Sequence, residues 1–289
     1  MQSLLFFRRL ARAVGVRAFL VAASVCATAA WGQSRLEVPD FQRELSPYVL
    51  ERLGESDRVL FDKLARAPLE AVWSHLTAKG YGHCFINELD ALHPDRRLVG
   101  RARTARYLPT RPDLREEIYA VRRQLNYVTA EEAEPGDVIV FDAGGDTRSA
   151  VSGEVTTIRF VARGGAGLVV DGALRDVPEI AALPIQVYQR RGQAAAVRPH
   201  LMSVDYQVPV RIGGVTVRPG DILLGERHGI LVIPAALAEE VVDAALAKQD
   251  FESFQRGLLF EGRSIYGVYP PDESTMQEYE ASRKQEKGR

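Results

Sequence analysis

The sequence predicts an α/β protein, and three observations carry that expectation. Residues 138–171 read as strand, loop, helix and strand. Residues 206–233 alternate short apolar runs with glycine turns, the pattern of a β-meander. Helical periodicity flanks both, over 40–80 and again over about 235–262.

The first 32 residues stand apart from that fold. No acid precedes Glu37, whereas Arg8, Arg9, Arg12 and Arg17 do. The 14 residues 18–31 carry no charge, and Ala30-Trp31-Gly32 puts small residues where a signal peptidase cuts. This is a secretory-leader pattern and predicts an exported protein, periplasmic or secreted. A permanent span needs about 20 apolar residues, so none is expected. An organelle transit peptide has a similar Arg-rich, acid-free composition, and a cytoplasmic protein follows if the segment is no leader. At 46% hydrophobic and 26% charged, the chain is neither disordered nor a multi-span membrane protein. Its net charge of −1 lacks the basic surplus that nucleic-acid binding requires. Two cysteines, Cys26 and Cys84, exclude a disulfide framework and a four-thiolate zinc site. Any metal must then rest on oxygen or imidazole. Cys84, among Tyr81-Gly82-His83-Cys84-Phe85, reads as a buried structural thiol.

From residue 40 to 270 the chain reads as one domain, followed by a charged tail over 271–289 that forms an exposed arm or a peripheral helix. Tyr48, Val49, Leu53, Val59, Leu60 and Leu64 recur at helical spacing; Ala71, Val72, Leu76 and Ala78 follow and stop at Gly80. From Leu98 the pattern becomes a strand, with Val99, Arg101, Arg103 and Ala105 on one face. The arginines read as lining a solvated or interfacial face, with phosphate contact as the alternative. Glu134-Pro135-Gly136-Asp137 and Arg218-Pro219-Gly220-Asp221 each precede an apolar run and each suit a type II turn, Pro presetting φ and Gly supplying φ > 0. After the second turn come Ile222–Leu224 and Ile230–Ile233; His228 falls in the turn between them and reads as structural.

The chemistry is expected between residues 136 and 176. Val138 to Phe141 suit a buried strand, Asp142-Ala143-Gly144-Gly145-Asp146 a loop, and Ser152 an N-cap. Residues 154–163 form the helix, with Val155, Ile158, Val161 and Ala162 on its apolar side, and Gly164-Gly165 ends it. Gly167 to Asp171 form the second strand, which a βαβ unit makes parallel to the first. Ten helical residues rise about 15 Å and five strand residues return about 16 Å. Arg175-Asp176 should therefore come level with Gly153-Glu154 at the carboxyl edge of the strands. Free amides over Gly153, Glu154, Val155 and Thr156, with the helix dipole, attract a carboxylate. Arg175 offers a planar cation, and Asp176 and Glu154 offer hard oxygen ligands. Such a set suits Mg²⁺ or Mn²⁺ with a 2-oxo acid. An exposed loop pair or an ordinary salt bridge accounts for Arg175-Asp176 equally well, and Glu154 by itself merely favours a helix start.

Gly153-Glu154, twenty residues later Arg175-Asp176 within Val170-Asp171-Gly172-Ala173-Leu174-Arg175-Asp176, then Gly213-Gly214-Val215-Thr216-Val217-Arg218-Pro219-Gly220-Asp221 and Gly225-Glu226-Arg227-His228-Gly229-Ile230-Leu231-Val232-Ile233-Pro234, are together fairly specific. Over roughly 45–270 the chain resembles the family that joins the regulator of ribonuclease activity A to the class II 4-hydroxy-4-methyl-2-oxoglutarate aldolases. The resemblance implies a β/β/α swivelling-domain fold, a homotrimer or hexamer with sites at subunit interfaces, and a small 2-oxo acid substrate. It implies metal-dependent retro-aldol cleavage of a 4-hydroxy-2-oxo diacid to pyruvate, with oxaloacetate decarboxylation. By carry-over Asp176 ligates the metal, Arg175 stabilises the enolate and the amides from Gly153 to Thr156 hold the substrate. Where characterised aldolases often have Asp, this chain has Glu154, which keeps the charge and reaches one methylene further. A further acid from a neighbouring subunit falls in the late helix, with Glu252 as the candidate. The alternative within the same family is a non-catalytic regulator that binds a ribonuclease or other protein partner. A methyltransferase label carried by some relatives finds no glycine-rich cofactor loop after a first strand here.

Overall fold

In a computed structural model, residues 44–121, 124–198 and 200–287 are described. The leader-like segment 1–32 and Cys26 lie outside them. Helices α1 (Pro47–Leu50), α2 (Glu55–Arg66) and α3 (Leu69–Ala78) come first. Short strands β1 (Phe85–Ile86) and β2 (Asp90–Ala91) precede the long strand β3 (Leu98–Pro109). Helices α4 (Pro112–Val121) and α5 (Leu125–Glu131) lead to β4 (Asp137–Asp142), β5 (Ala150–Ser152), α6 (Glu154–Ala162), β6 (Gly167–Leu174), α7 (Val177–Ala181) and β7 (Gln186–Gly192). Then follow β8 (Leu201–Tyr206), β9 (Val210–Ile212), β10 (Val215–Val217), β11 (Ile222–Glu226) and β12 (Gly229–Ile233). Two long helices, α8 (Ala238–Phe260) and α9 (Glu273–Lys287), close the described chain.

The main sheet runs β1-β12-β11-β3-β4-β6-β7-β2, with β8 added to β3 and β5 added to β6. Its centre, β3-β4-β6-β7, is parallel, and its remaining pairings include antiparallel ones. The mixed α/β class read from the sequence is therefore observed. Strands β4 and β6 are buried along their whole length, as central parallel strands covered on both faces must be. Period-2 alternation divides their side chains: Val138, Val140 and Val169 face the core under α2, α3 and α8, and Ile139, Phe141, Leu168 and Val170 face the core under α5, α6 and α7.

Both Pro-Gly turns are as expected, with Gly136 at φ 86° and Gly220 at φ 84°. Each closes with an amide of Asp donating to the carbonyl three residues back, Asp137 to Glu134 and Asp221 to Arg218, both at 3.1 Å. Each aspartate returns its carboxylate to the first amide of its turn, at 2.8 Å. The two turns flank β3: Arg101 N donates to Gly136 O on one side and Ala102 N to Asp221 O on the other.

Several expectations need correction. The meander of 206–233 is two separate hairpins: β9-β10 form a two-stranded sheet of their own, and β11-β12 join the main sheet. The cause is the second turn, whose bonds to β3 commit β11 to that strand instead of to β10. The arginine face of β3 is only partly solvated. Arg101 makes two 2.7 Å bonds to Asp57, and Arg103 pairs with Asp137 at 2.6 Å and with Tyr206. The tail takes the second of its two expected forms, a peripheral helix, α9, whose Tyr279 packs on Phe251 and Phe254 of α8. Cys84 is buried and unpaired, as read, and burial pushes its thiol pKa up. No helix among the described residues is long and apolar enough to cross a membrane.

Candidate active site

The expected meeting of residues 153–156 with 175–176 occurs, but by different arithmetic. Strand β6 has eight residues, not five, and spans about 26 Å. Helix α6 has nine residues and rises only about 14 Å. The chain makes up the difference at both ends. Beyond β4 it first climbs through β5, which pairs in parallel with the last residues of β6. At the other end 163–166 complete the descent: Gly164 N bonds Val161 O at 2.8 Å and Gly165 N bonds Phe160 O at 3.2 Å, a Schellman closure. Ser152 is buried in β5 and does not cap the helix; Gly153 is the N-cap residue. Thr157, Phe160 and Val161 are the buried residues of α6, whereas Val155 is 77% exposed and Ile158 is exposed beside it. Of the four residues at helical spacing only Val161 is buried, and Ala162 is exposed with the other two.

At the carboxyl edge the contacts are close. Arg175 N donates to Ser152 O at 3.1 Å and ties the end of β6 to the end of β5. The Glu154 amide donates to Asp176 Oδ2 at 3.2 Å. Arg175 Nε lies 3.3 Å from the same oxygen, with the two side chains 46% and 38% exposed. A side chain at position 153 has no room: its Cβ would sit 2.6 Å from Asp176 Oδ2 and 2.8 Å from Arg175 Nε. The amides of Val155 and Thr156 donate to no acceptor among the described residues, as the first turn of a helix leaves them.

Asp176 is also strained. It holds φ 53°, ψ 40°, one of two non-glycine residues at positive φ among those described. It heads α7 without capping it, and its carboxylate serves α6 instead. A left-handed residue that gives up its own cap is a cost of about 1 kcal/mol or more that local structure does not repay.

Two adjoining cavities, of about 250 and 240 Å³, share Tyr127, Gly153, Thr156 and Arg175 in their walls. Glu131 edges the second, but its carboxylate is taken up by Arg159 at 2.8 Å, which holds its pKa below the usual range. Tyr127, Gln124, Asn126 and Arg198 also line the cleft. Sequence reading missed these four, because no periodic or turn signal marks 124–127 or 198 as neighbours of 153. Glu252 is not brought to the cleft within one chain. It lies on α8, which packs on α2 and α3, and its ion pair is with Lys248 at 3.7 Å. His228 sits in the exposed β11-β12 turn, 3.6 Å from the Glu226 carboxylate.

No three His, Cys, Asp or Glu side chains converge to hold a metal among the described residues. The donor set still fits a hard divalent ion. Mg²⁺ binds through one or two carboxylates and keeps waters and substrate oxygens for the rest, and the Asp176 carboxylate, 38% exposed, has only the Glu154 amide at 3.2 Å and Arg175 Nε at 3.3 Å beside its Oδ2. Asp176 would hold the ion directly, with Glu154 beside it.

Fold and cleft together define a mixed α/β domain with a cleft beside Gly153 and Arg175 at the carboxyl ends of its parallel strands. The chain belongs to the RraA-like family, whose Aldolase/RraA model matches residues 63–232. A Halalkalibacterium halodurans protein provisionally named 4-hydroxy-4-methyl-2-oxoglutarate aldolase is 40% identical over 128 residues, 44% of this chain and 60% of that one. An Ectopseudomonas mendocina protein of the same provisional name is 39% identical over 107 residues, 36% of this chain and 63% of that one. The chain thus matches under two thirds of the length of these relatives. The crystal structure of Streptomyces coelicolor RraAS2, described as an unusual member of the RNase ES inhibitor RraA family, aligns with TM-score 0.63 and 30% identity over 71% of this chain and 98% of that one.

Proposed function

We propose that the protein is a metal-dependent lyase that cleaves a 4-hydroxy-2-oxo diacid to pyruvate by a retro-aldol reaction, with oxaloacetate decarboxylation as a companion activity. The observation that carries this reading is the convergence of Gly153, Arg175 and Asp176 at the α6 N-terminus. Asp176 holds Mg²⁺ or Mn²⁺, which when bound supplies Lewis-acid polarisation of a 2-oxo group. The Val155 and Thr156 amides and the helix dipole bind the adjoining carboxylate. Glu154 holds a water that takes the proton of the 4-hydroxyl. The C3–C4 bond then breaks, its electron pair passes into the pyruvate enolate, and the distal half leaves as a carbonyl compound. Arg175 stabilises the enolate charge until C3 takes up a proton. A trimer or hexamer in which Glu252 of a neighbouring copy completes the proton path belongs to the same reading, as does export through 1–32.

The test is release of pyruvate from a panel of 2-oxo acids, with Mg²⁺ or Mn²⁺ and with chelator. Pyruvate should form only with metal, and Arg175→Ala should lower turnover by about tenfold or more. No release from any member of the panel would favour the competing reading, a non-catalytic regulator of a ribonuclease, to which the description of the Streptomyces relative lends support.

A further inference from the structure

We infer that Arg198 is a specificity residue that binds the second, distal carboxylate of the ligand, so that the cleft selects 2-oxo diacids over 2-oxo monoacids. The inference rests on the lyase reading for the chemical class of the ligand, and on the cleft for the rest.

The charged residues lining the 250 Å³ cavity are Arg175 and Arg198, and no acid lines it. Two arginines in the wall of one small space with no acid beside them favour a ligand that carries a negative charge at each end. Arg175 stands by Gly153 and Thr156, where the 2-oxo acid end belongs. Arg198 comes from the segment between β7 and β8, with the amide side chains of Gln124 and Asn126 in the same wall.

The position of Arg198 is set by the backbone. Ala150 N donates to Ala195 O at 2.7 Å, and Ala150 forms a parallel bridge with Ala196. Ser149 Oγ donates to Val197 O at 3.1 Å, and Leu201 N to the same oxygen at 2.9 Å. Residues 195–197 are therefore bonded to the start of β5, the strand that leads into Gly153. The backbone that leads into Arg198 is thus tied to the backbone that leads into Gly153. Arg198 has no carboxylate partner among the described residues; its guanidinium lies over the Tyr119 ring, 5.4 Å from the centre. Such stacking holds a cation in place while leaving its N–H edge free to donate.

Calorimetric titration of the full chain in Mg²⁺ buffer tests this, using 2-oxoglutarate and 2-oxopentanoate. The two share a five-carbon frame, differ by a distal carboxylate against a methyl, and lack the 4-hydroxyl needed for cleavage. The unaltered protein should bind the diacid at least about tenfold more tightly. Arg198→Gln should reduce that preference to within about twofold by weakening the diacid alone, and Arg198→Lys should keep part of it. An unaltered protein that binds both acids equally, or neither, overturns the inference. So does Arg198→Gln weakening both acids alike, the result expected if the residue only packs on Tyr119. Pyruvate release is measured separately: its absence beside an intact diacid preference would sink the lyase reading and leave Arg198 its role.

Discussion

Asp176 carries two burdens that no neighbouring residue shares. Its backbone is left-handed, and its carboxylate lies between the α6 amide and the Arg175 guanidinium. Asparagine tolerates the same backbone and keeps an acceptor oxygen, but has no charge. Asp176→Asn should therefore melt within a few degrees of the unaltered protein yet lose stimulation by Mg²⁺ in the pyruvate assay. Stimulation that survived would remove Asp176 as the metal-holding residue. The closeness of 153 to 175 was legible in the sequence, because a βαβ unit returns its second strand to the level of the helix start. The left-handed turn at 176 was not, since a non-glycine residue adopts it only when surrounding structure imposes it. Nor was Arg198, whose place depends on hydrogen bonds between segments nearly fifty residues apart.

Among the elements, the paired Pro-Gly turns offer an internal control. Both glycines need φ near 85°. A Cβ at Gly220 meets nothing within 4 Å, whereas one at Gly136 would lie 2.6 Å from Leu53 Cδ2 and 3.1 Å from the Phe61 ring. Gly220→Ala should cost about 1–2 kcal/mol, the left-handed penalty alone. Gly136→Ala should cost roughly 1–3 kcal/mol more, from overpacking, as read by urea denaturation. The Asp221 carboxylate adds a pH dependence. Burial pushes the Asp221 pKa above its ordinary value, against a smaller lowering by the Arg218 amide. The folded state thus holds this proton more tightly than the unfolded state does. Its contribution to stability is full below the ordinary aspartate range and is lost as pH rises through the raised value. Asp221→Asn should accordingly gain on the unaltered protein between pH 4 and pH 7 in the same denaturation experiment; a gap that stayed constant would place the cost elsewhere. The turns were legible because Pro and Gly act locally. The pairing of β11 with β3 was not, because alternation marks a strand without marking its neighbour. For the same reason periodicity marked α6 as a helix, yet of its four spaced residues only Val161 is buried and Val155, Ile158 and Ala162 are exposed.

At the scale of the whole molecule the cleft bears on assembly. Tyr127, Val155 and Ile158 stand exposed around the proposed cleft, with Val155 the most exposed of the three. A trimer or hexamer whose subunits meet there would cover these side chains and bring an acid from the neighbouring copy to the metal. Light scattering should then report three or six chains per particle. Val155→Asp, which adds a charge to that surface without touching the core, should release monomers and lower pyruvate formation together. A monomeric unaltered protein, or a variant that stays assembled, would separate the cleft from any subunit contact.

The β9-β10 hairpin is seated over the sheet by two buried acids. Asp142 on β4 and its in-register partner Asp171 on β6 accept the Arg211 and Gly213 amides at 3.0 and 2.9 Å. The acids grip the hairpin by its spine, so the outward-facing letters at 211 and 216 are free to drift through evolution without unseating it. Proline is barred at 211, for it brings no N–H to the grip, and position 213 is held to glycine by its φ of 51° as well.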